Sequence, residues 1–259
     1  MLELKGRGAI VAGTRRIGSA VVKRLAREGV NLAIVYRSSR DAADALHASV
    51  RDGIERACVI QADLSSAQDV KRLVDVAERQ LGELSFCVNL ASDYPRTPYQ
   101  LLTAADWDRA MAAAKGAYLL ALEASRAMQR NAGPTRGHIV FFGDWAAEET
   151  PYRDFLPYLT AKAAVHFMTR AFALELAPHG ILVNAISPGP TARDPALVSS
   201  AEWKAALAQA PLHRESSEEE MAELVATLLK LETVTGENIR VDSGRHIGGT
   251  MLDDEEPGA

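Results

Sequence analysis

"GAIVAGTRRIG", residues 8–18, decides the fold. An unbroken apolar run ends at Gly13, a polar turn follows, and a helical period starts at Ile17. A short continuous apolar run fits a strand buried on both faces, as in a parallel sheet. Gly13 and Gly18 then bound a tight strand-to-helix turn, the place where an open parallel sheet turns backbone N–H groups and a helix N-terminus toward an anion. Gly13, Thr14, Arg15, Arg16, Ile17 and Gly18 are therefore candidate phosphate-binding residues. A plain strand-to-helix turn would use the same glycines, so the stretch needs support from the rest of the chain.

Working outward, short apolar runs alternate with segments of helical period. The spacing predicts strands at 8–12, 31–36, 57–61, 84–90, 138–143, 181–186 and 238–242, and helices near 17–28, 40–51, 66–81, 103–130, 155–177 and 217–230. This is the pattern of an α/β, doubly wound parallel sheet with crossover helices. No Pro/Gly/Ser-rich linker divides residues 1–259, and 259 residues with 47% hydrophobic content can bury one large core, so a single domain is expected. "TAAD" at 103–106 and "SEEE" at 217–220 carry the capping-box spacing at two helix starts. The stretch 188–216 holds four prolines and one plausible short helix near 201–209, and reads as a binding loop or lid. Residues 252–259 read as a solvated acidic tail.

Charge and composition exclude some partners. The net charge is −5 with no basic block, which argues against nucleic acid and anionic membranes and leaves small soluble ligands. Cys58 and Cys87 each lie inside an apolar strand candidate, so a reducing compartment is expected and a disulfide framework is not. The first apolar run is too short for a signal segment or a membrane span, and a cytoplasmic protein is expected.

The second strand ends in "YRSS", 36–39, with Arg37 nineteen residues after Gly18. An acidic residue there would bond the ribose 2′-hydroxyl of NAD; Arg37 with Ser38, next to Tyr36, instead offers a charged fork and a hydroxyl to a 2′-phosphate. Arg15 and Arg16 add positive charge, so NADP(H) is the expected cofactor. Further along, Tyr158 and Lys162 stand four apart on a helix and share a face. An ammonium there favours phenolate over a phenol whose ordinary pKa is about 10, which equips a tyrosine to move the proton that accompanies hydride transfer. The same pair could be an exposed Tyr and Lys on an amphipathic helix if the nucleotide-binding pattern were absent.

Together these residues resemble the short-chain dehydrogenase/reductase family over about residues 4–247. The matching pieces are the glycine turn, "ADL" (62–64), "VNLAS" (88–92), "YLTAK" (158–162), "NAISPGPT" (184–191) and "TGENIRVDSG" (235–244). The resemblance implies a seven-stranded Rossmann-type sheet in the order 3-2-1-4-5-6-7, with helices on both faces. It places Asp63 and Leu64 by the adenine, Asn89 and Ala91 by the adenosine ribose, Lys162 also on the nicotinamide ribose, and Pro188, Gly189 and Thr191 at the nicotinamide end. It also implies a homotetramer or homodimer built on the 103–130 and 155–177 helices, and no metal.

The sequence departs from the family in four places. Val11 and Ala12 stand where Thr-Gly is usual, or one residue is deleted beside Gly13; Arg16 replaces the middle glycine; Ala114 replaces a helix asparagine that relays protons through water to the lysine. The usual serine, 13 residues before the tyrosine, is absent: Trp145 is there, and Asp144 is at 14. "TRRIG", "FFGDWA" and the Arg-Ser after the second strand are similar to the pteridine reductases, a branch of the family with an aspartate in the serine's place. That likeness puts Ser92, Tyr94 and Trp145 near the substrate and makes Asp144 catalytic beside Tyr158 and Lys162. A carboxylate opposes a developing alkoxide but can accept N–H bonds from a nitrogen heterocycle, or deliver a proton if held neutral. Asp144 could equally cap a turn at the strand end. The expectation is an NADPH-dependent reductase of a pterin-like or imine substrate. The alternatives are a ketone or 3-oxoacyl reductase, and a nucleotide-binding paralogue with weakened catalysis, to which Ala12 and Ala114 point.

Overall fold

The computed structural model describes residues 1–191 and 200–248. The acidic tail expected at 252–259, and residues 192–199 of the loop expected at 188–216, lie outside the described residues. Seven strands form one parallel sheet: β1 (Gly8–Ala12), β2 (Asn31–Tyr36), β3 (Ala57–Gln61), β4 (Phe86–Asn89), β5 (Gly137–Phe142), β6 (Ile181–Pro188) and β7 (Asn238–Val241). Their order is β3-β2-β1-β4-β5-β6-β7. The order reverses between β1 and β4, so the chain leaves a crevice at the carboxyl ends of these strands, where open α/β sheets bind ligands.

Side chains alternate across the sheet and feed two cores. Ala9 and Val11 of β1 pack with α1 (Ile17–Arg27), α2 (Arg40–Val50) and the helix Glu218–Lys230 through Val21, Leu25, Leu46, Val225 and Leu229. Ile10 and Ala12 face the other way, onto α3 (Ala67–Leu81), α4 (Ala104–Met128) and α5 (Leu156–Leu176), through Leu73, Leu120 and Val165. A further helix, α6 (Ala201–Ala208), lies where the short one was expected, and Glu218–Lys230 is α7. Cys58 and Cys87 are free, and burial pushes their thiols up to about 11 and about 12.

The helix starts follow their capping residues. Thr103 and Asp106 close a full capping box on α4. At α7 the Glu220 N–H donates to Ser217, but the Ser217 hydroxyl turns to Glu219, so only the forward half of the expected box forms. β4 starts two residues later than the apolar run suggests, because Leu84 and Ser85 serve the turn that leads into it, with the Ser85 N–H on the Gly8 carbonyl. Among the described residues no helix is long and apolar enough to cross a membrane.

Candidate active site

A cleft of about 1220 Å³ runs along the carboxyl ends of the strands, from the β1–α1 turn to α5 and α6. At its β1 end Gly13 has φ 89°, and a Cβ there would sit 2.7 Å from the Ala91 amide nitrogen; one on Gly18 would sit 1.9 Å from the Gly13 carbonyl oxygen. Only glycines allow this turn to close on β4. No side chain caps α1 and no acidic residue occupies its first turn, so its N-terminus keeps its capacity for an anion. Arg16 caps this helix at φ 53°, a conformation glycine adopts without strain. Its guanidinium donates to the Thr191 carbonyl at 3.2 Å and pairs with Glu218 at 3.2 Å, tying the turn to the opposite wall.

Thr14, Arg15, Ile17, Tyr36, Arg37, Ser38, Asp63, Leu64, Pro188 and Gly189 also line this cleft. Arg37 is exposed and lies 3.7 Å from Asp93. Asp63 accepts from the Ser65 amide and hydroxyl, and these bonds hold its carboxyl below the ordinary range. Asn89 is buried, and its Oδ1 accepts from the Ala91 N–H at 3.1 Å.

The other end of the cleft lies between β5 and α5. The Tyr158 hydroxyl donates to Asp144 Oδ2 at 2.8 Å, although Asp144 is one residue away from the expected spacing. The loop after β5 is not helical, so chain direction rather than a count of residues decides which side chain meets the phenol. Trp145, at the strict spacing, is buried against Tyr152 and Arg245 instead, its ring 4.8 Å from that guanidinium. Asp144 is buried, and desolvation raises its carboxyl above the ordinary range against the hydrogen bonds that favour the anion. Lys162 is buried too: its Nζ donates to the Phe142 carbonyl at 2.7 Å and lies 5.7 Å from the Tyr158 ring centre. Burial lowers its ammonium to about 8. Tyr94 meets Tyr158 edge-on at 4.8 Å, while Ser92 is exposed at the cleft mouth and donates to the Asp93 carbonyl.

Sequence reasoning missed three groups. Tyr152 donates to the same Asp144 Oδ2 at 3.0 Å and stacks on Trp145. His166, on α5, has Nε2 3.3 Å from the Asp144 backbone N–H and 2.9 Å from the Ser187 hydroxyl, and its Nδ1 faces Glu148 at 3.2 Å. Burial keeps this imidazole neutral by lowering its pKa. Gly143 makes that contact possible, since a Cβ there would fall 2.0 Å from His166 Nε2. Arg245 is the third. Beside Lys162, Ala114 lines a separate cavity of about 30 Å³ with Asn89 and Phe142, room enough for a water where a longer side chain is expected.

The chain matches the family described as Enoyl-(Acyl carrier protein) reductase over residues 11–246. It is 33% identical to a short-chain type dehydrogenase/reductase of Picea abies, covering 93% of each chain. The chain belongs to the short-chain dehydrogenase/reductase family. Members of this family are oxidoreductases that bind a nicotinamide cofactor, and the glycine cradle, uncapped helix and long cleft described above fit such a dinucleotide. The chain is also 30% identical to a 3-oxoacyl-(acyl-carrier-protein) reductase of Staphylococcus aureus, over 93% of this chain and 98% of that one. Among solved structures, a short-chain dehydrogenase of Burkholderia cenocepacia in complex with NADP superposes with a TM-score of 0.84 at 31% identity, covering 94% of this chain and 99% of that one. A dehydrogenase/reductase of Sinorhizobium meliloti gives 0.86 at 30% identity, covering 94% and 96%.

Proposed function

We propose that this chain is a one-domain, cytoplasmic, NADPH-dependent reductase of a small soluble substrate, most specifically a pterin-like or other nitrogen-heterocyclic or imine compound. The observation that carries this reading is the 2.8 Å bond from Tyr158 to a buried Asp144 in the wall of the cleft. A bound reduced nicotinamide supplies hydride. Tyr158 Oη gives its proton to the nitrogen or oxygen of the bond being reduced. Asp144, whose raised pKa keeps a proton within reach, returns one to Oη and is itself refilled from solvent. Lys162 holds positive charge beside the phenol, which eases the proton's departure. Arg37 and Ser38 meet the 2′-phosphate, and the NADP complex of the Burkholderia relative supports that choice of cofactor. Tyr94, Trp145 and Tyr152, backed by Phe155, offer flat walls that suit a planar ring.

A ketone or 3-oxoacyl substrate is the second reading, favoured by how Asp144 is occupied. Its Oδ2 takes two phenol protons and its Oδ1 the Ala146 N–H, three of about four acceptor positions. A carboxyl so engaged, with desolvation disfavouring its charge, repels an oxyanion less than a free carboxylate would. Asp144→Ser separates the two. With a dihydropterin, loss of the charge-assisted contact lowers kcat/KM about ten- to a hundredfold, while a small ketone gains because a hydroxyl can donate to the developing oxyanion. Parallel losses on both substrates remove the support for a pterin.

A further inference from the structure

Arg15, Arg16 and Arg37 stand at the ends of β1 and β2, where a dinucleotide presents its phosphates. Arg245 does not. It follows β7, five strand spacings from β2 in the order 3-2-1-4-5-6-7, or roughly 24 Å at about 4.8 Å each. The phosphates of a dinucleotide seated at β1 and β2 therefore leave it unused, although it lines the same cleft as Tyr158 and Asp144.

The direct hydrogen-bond partners of Arg245 are uncharged. One of its nitrogens donates to the Ala206 carbonyl and another to Gln209 Oε1 at 2.6 Å, both at the α6 end of the cleft. Among the described residues no carboxylate forms an ion pair with it. Asp242, the nearest in sequence, is turned away onto the Gly244 N–H and onto the His246 amide and ring, at 3.1, 2.9 and 2.8 Å. The guanidinium is half-buried, and burial disfavours its charge. A half-buried cation without a counter-ion has given up hydration and gained no ion pair, so an anion arriving from the cleft finds a partner already partly dehydrated.

Its position relative to the chemistry is set by aromatic rings. The guanidinium lies over Trp145; Trp145 stacks on Tyr152 with centres 6.2 Å apart; Tyr152 donates to the carboxyl that also receives Tyr158. We propose that Arg245 is a specificity residue that binds a carboxylate of the substrate, so that the compound reduced is a planar carbonyl or C=N compound that also carries a carboxylate. This deepens, and rests on, the reductase reading above.

The probes are 4-formylbenzoate and its methyl ester, matched in shape and differing in charge. Dissociation constants of both are measured by calorimetry on the enzyme saturated with NADP⁺, and NADPH oxidation is followed with each. Wild type binds the carboxylate at least tenfold tighter than the ester, and Arg245→Gln brings that ratio to about one, as removal of a charge-assisted pair requires. Gln209→Ala, which loosens the hold on α6 but keeps the cation, leaves the ratio as it was. The proposal is overturned by equal wild-type affinity for the two probes, by no binding of the carboxylate, or by a ratio that survives Arg245→Gln; in the last case Arg245 serves only to staple α6. Charge-selective binding without oxidation of NADPH by either probe would uphold Arg245 and sink the reductase reading. Reduction of both without charge preference does the reverse.

Discussion

In the proposed reduction two demands meet at Tyr158 Oη, since the phenol would hold its proton until substrate arrives and release it afterwards. Asp144 serves the first and Lys162 the second. Lys162 is a cation below about 8 and neutral above it, because burial lowers its pKa. As pH rises through about 8 the phenol loses the neighbouring charge that makes it a useful acid, so kcat/KM for reduction falls on the alkaline side with a midpoint near that value. Lys162→Arg keeps the charge at all accessible pH, and its profile should be lower but flat across the same range. A limb at about 8 that persists in the arginine variant would assign the titration to another group. Arg37 sits at the other end of the cleft and makes a second, independent prediction. Its 3.7 Å pair with Asp93 is exposed and weak, so little holds it back from a 2′-phosphate. Arg37→Glu should cost NADPH at least about tenfold in affinity, about 1.4 kcal/mol, and cost NADH much less. Unchanged NADPH binding in a titration would remove the 2′-phosphate assignment.

Elements that repeat a period were readable from the residues alone. β1, β2 and β3 lie where their continuous apolar runs end, and Tyr158 and Lys162 could be paired because one helix carries both at its own spacing. What depends on two elements meeting was not readable. Tyr152, His166 and Arg245 come to Asp144 and Trp145 from a loop, from α5 and from the segment after β7, and no periodicity links positions so far apart in the chain. Gly143 shows the cost of such a meeting. With a methyl group 2.0 Å from His166 Nε2, Gly143→Ala must drive the imidazole off the Asp144 N–H, and overpacking of this kind costs about 1–3 kcal/mol. The pairing of the two sites predicts more: His166→Ala removes the nearer clash and leaves only the Ser187 hydroxyl, 2.5 Å from that methyl, so the double variant should be more stable than the sum of the single losses. Thermal unfolding of the four proteins measures this. Strict additivity would mean that the two residues do not share the space the structure gives them.

For the whole molecule, the face turned away from the chemistry carries its own prediction. Leu156, Phe167 and Leu174 of α5 are 53%, 65% and 77% exposed. At about 100° per residue Phe167 lies roughly 20° from Leu156 and Leu174 returns to the same meridian, so the three form one stripe. On α4, exposed Trp107 and Tyr118 are spaced in the same way, and Tyr118 reaches Phe172 of α5 with ring centres 5.8 Å apart. Phe172 lies roughly 140–160° round α5 from that stripe, so the two helices expose separate apolar stripes, and the α5 one, with three large exposed side chains, is the kind of surface monomeric proteins rarely leave in water. A face of this kind meets its own copy across a two-fold axis most simply, and a second such contact would build the tetramer that the family resemblance implies. Sedimentation at micromolar concentration should show a dimer or tetramer, and Phe167→Glu with Leu174→Glu should shift it to the monomer. Because α5 bears Tyr158 and Lys162 on its inner side, the monomer should also unfold at a lower temperature and lose activity without any change at the cleft. A wild-type chain that sediments as a monomer, or a charged double variant that stays assembled, would mean that this stripe is not the contact between copies.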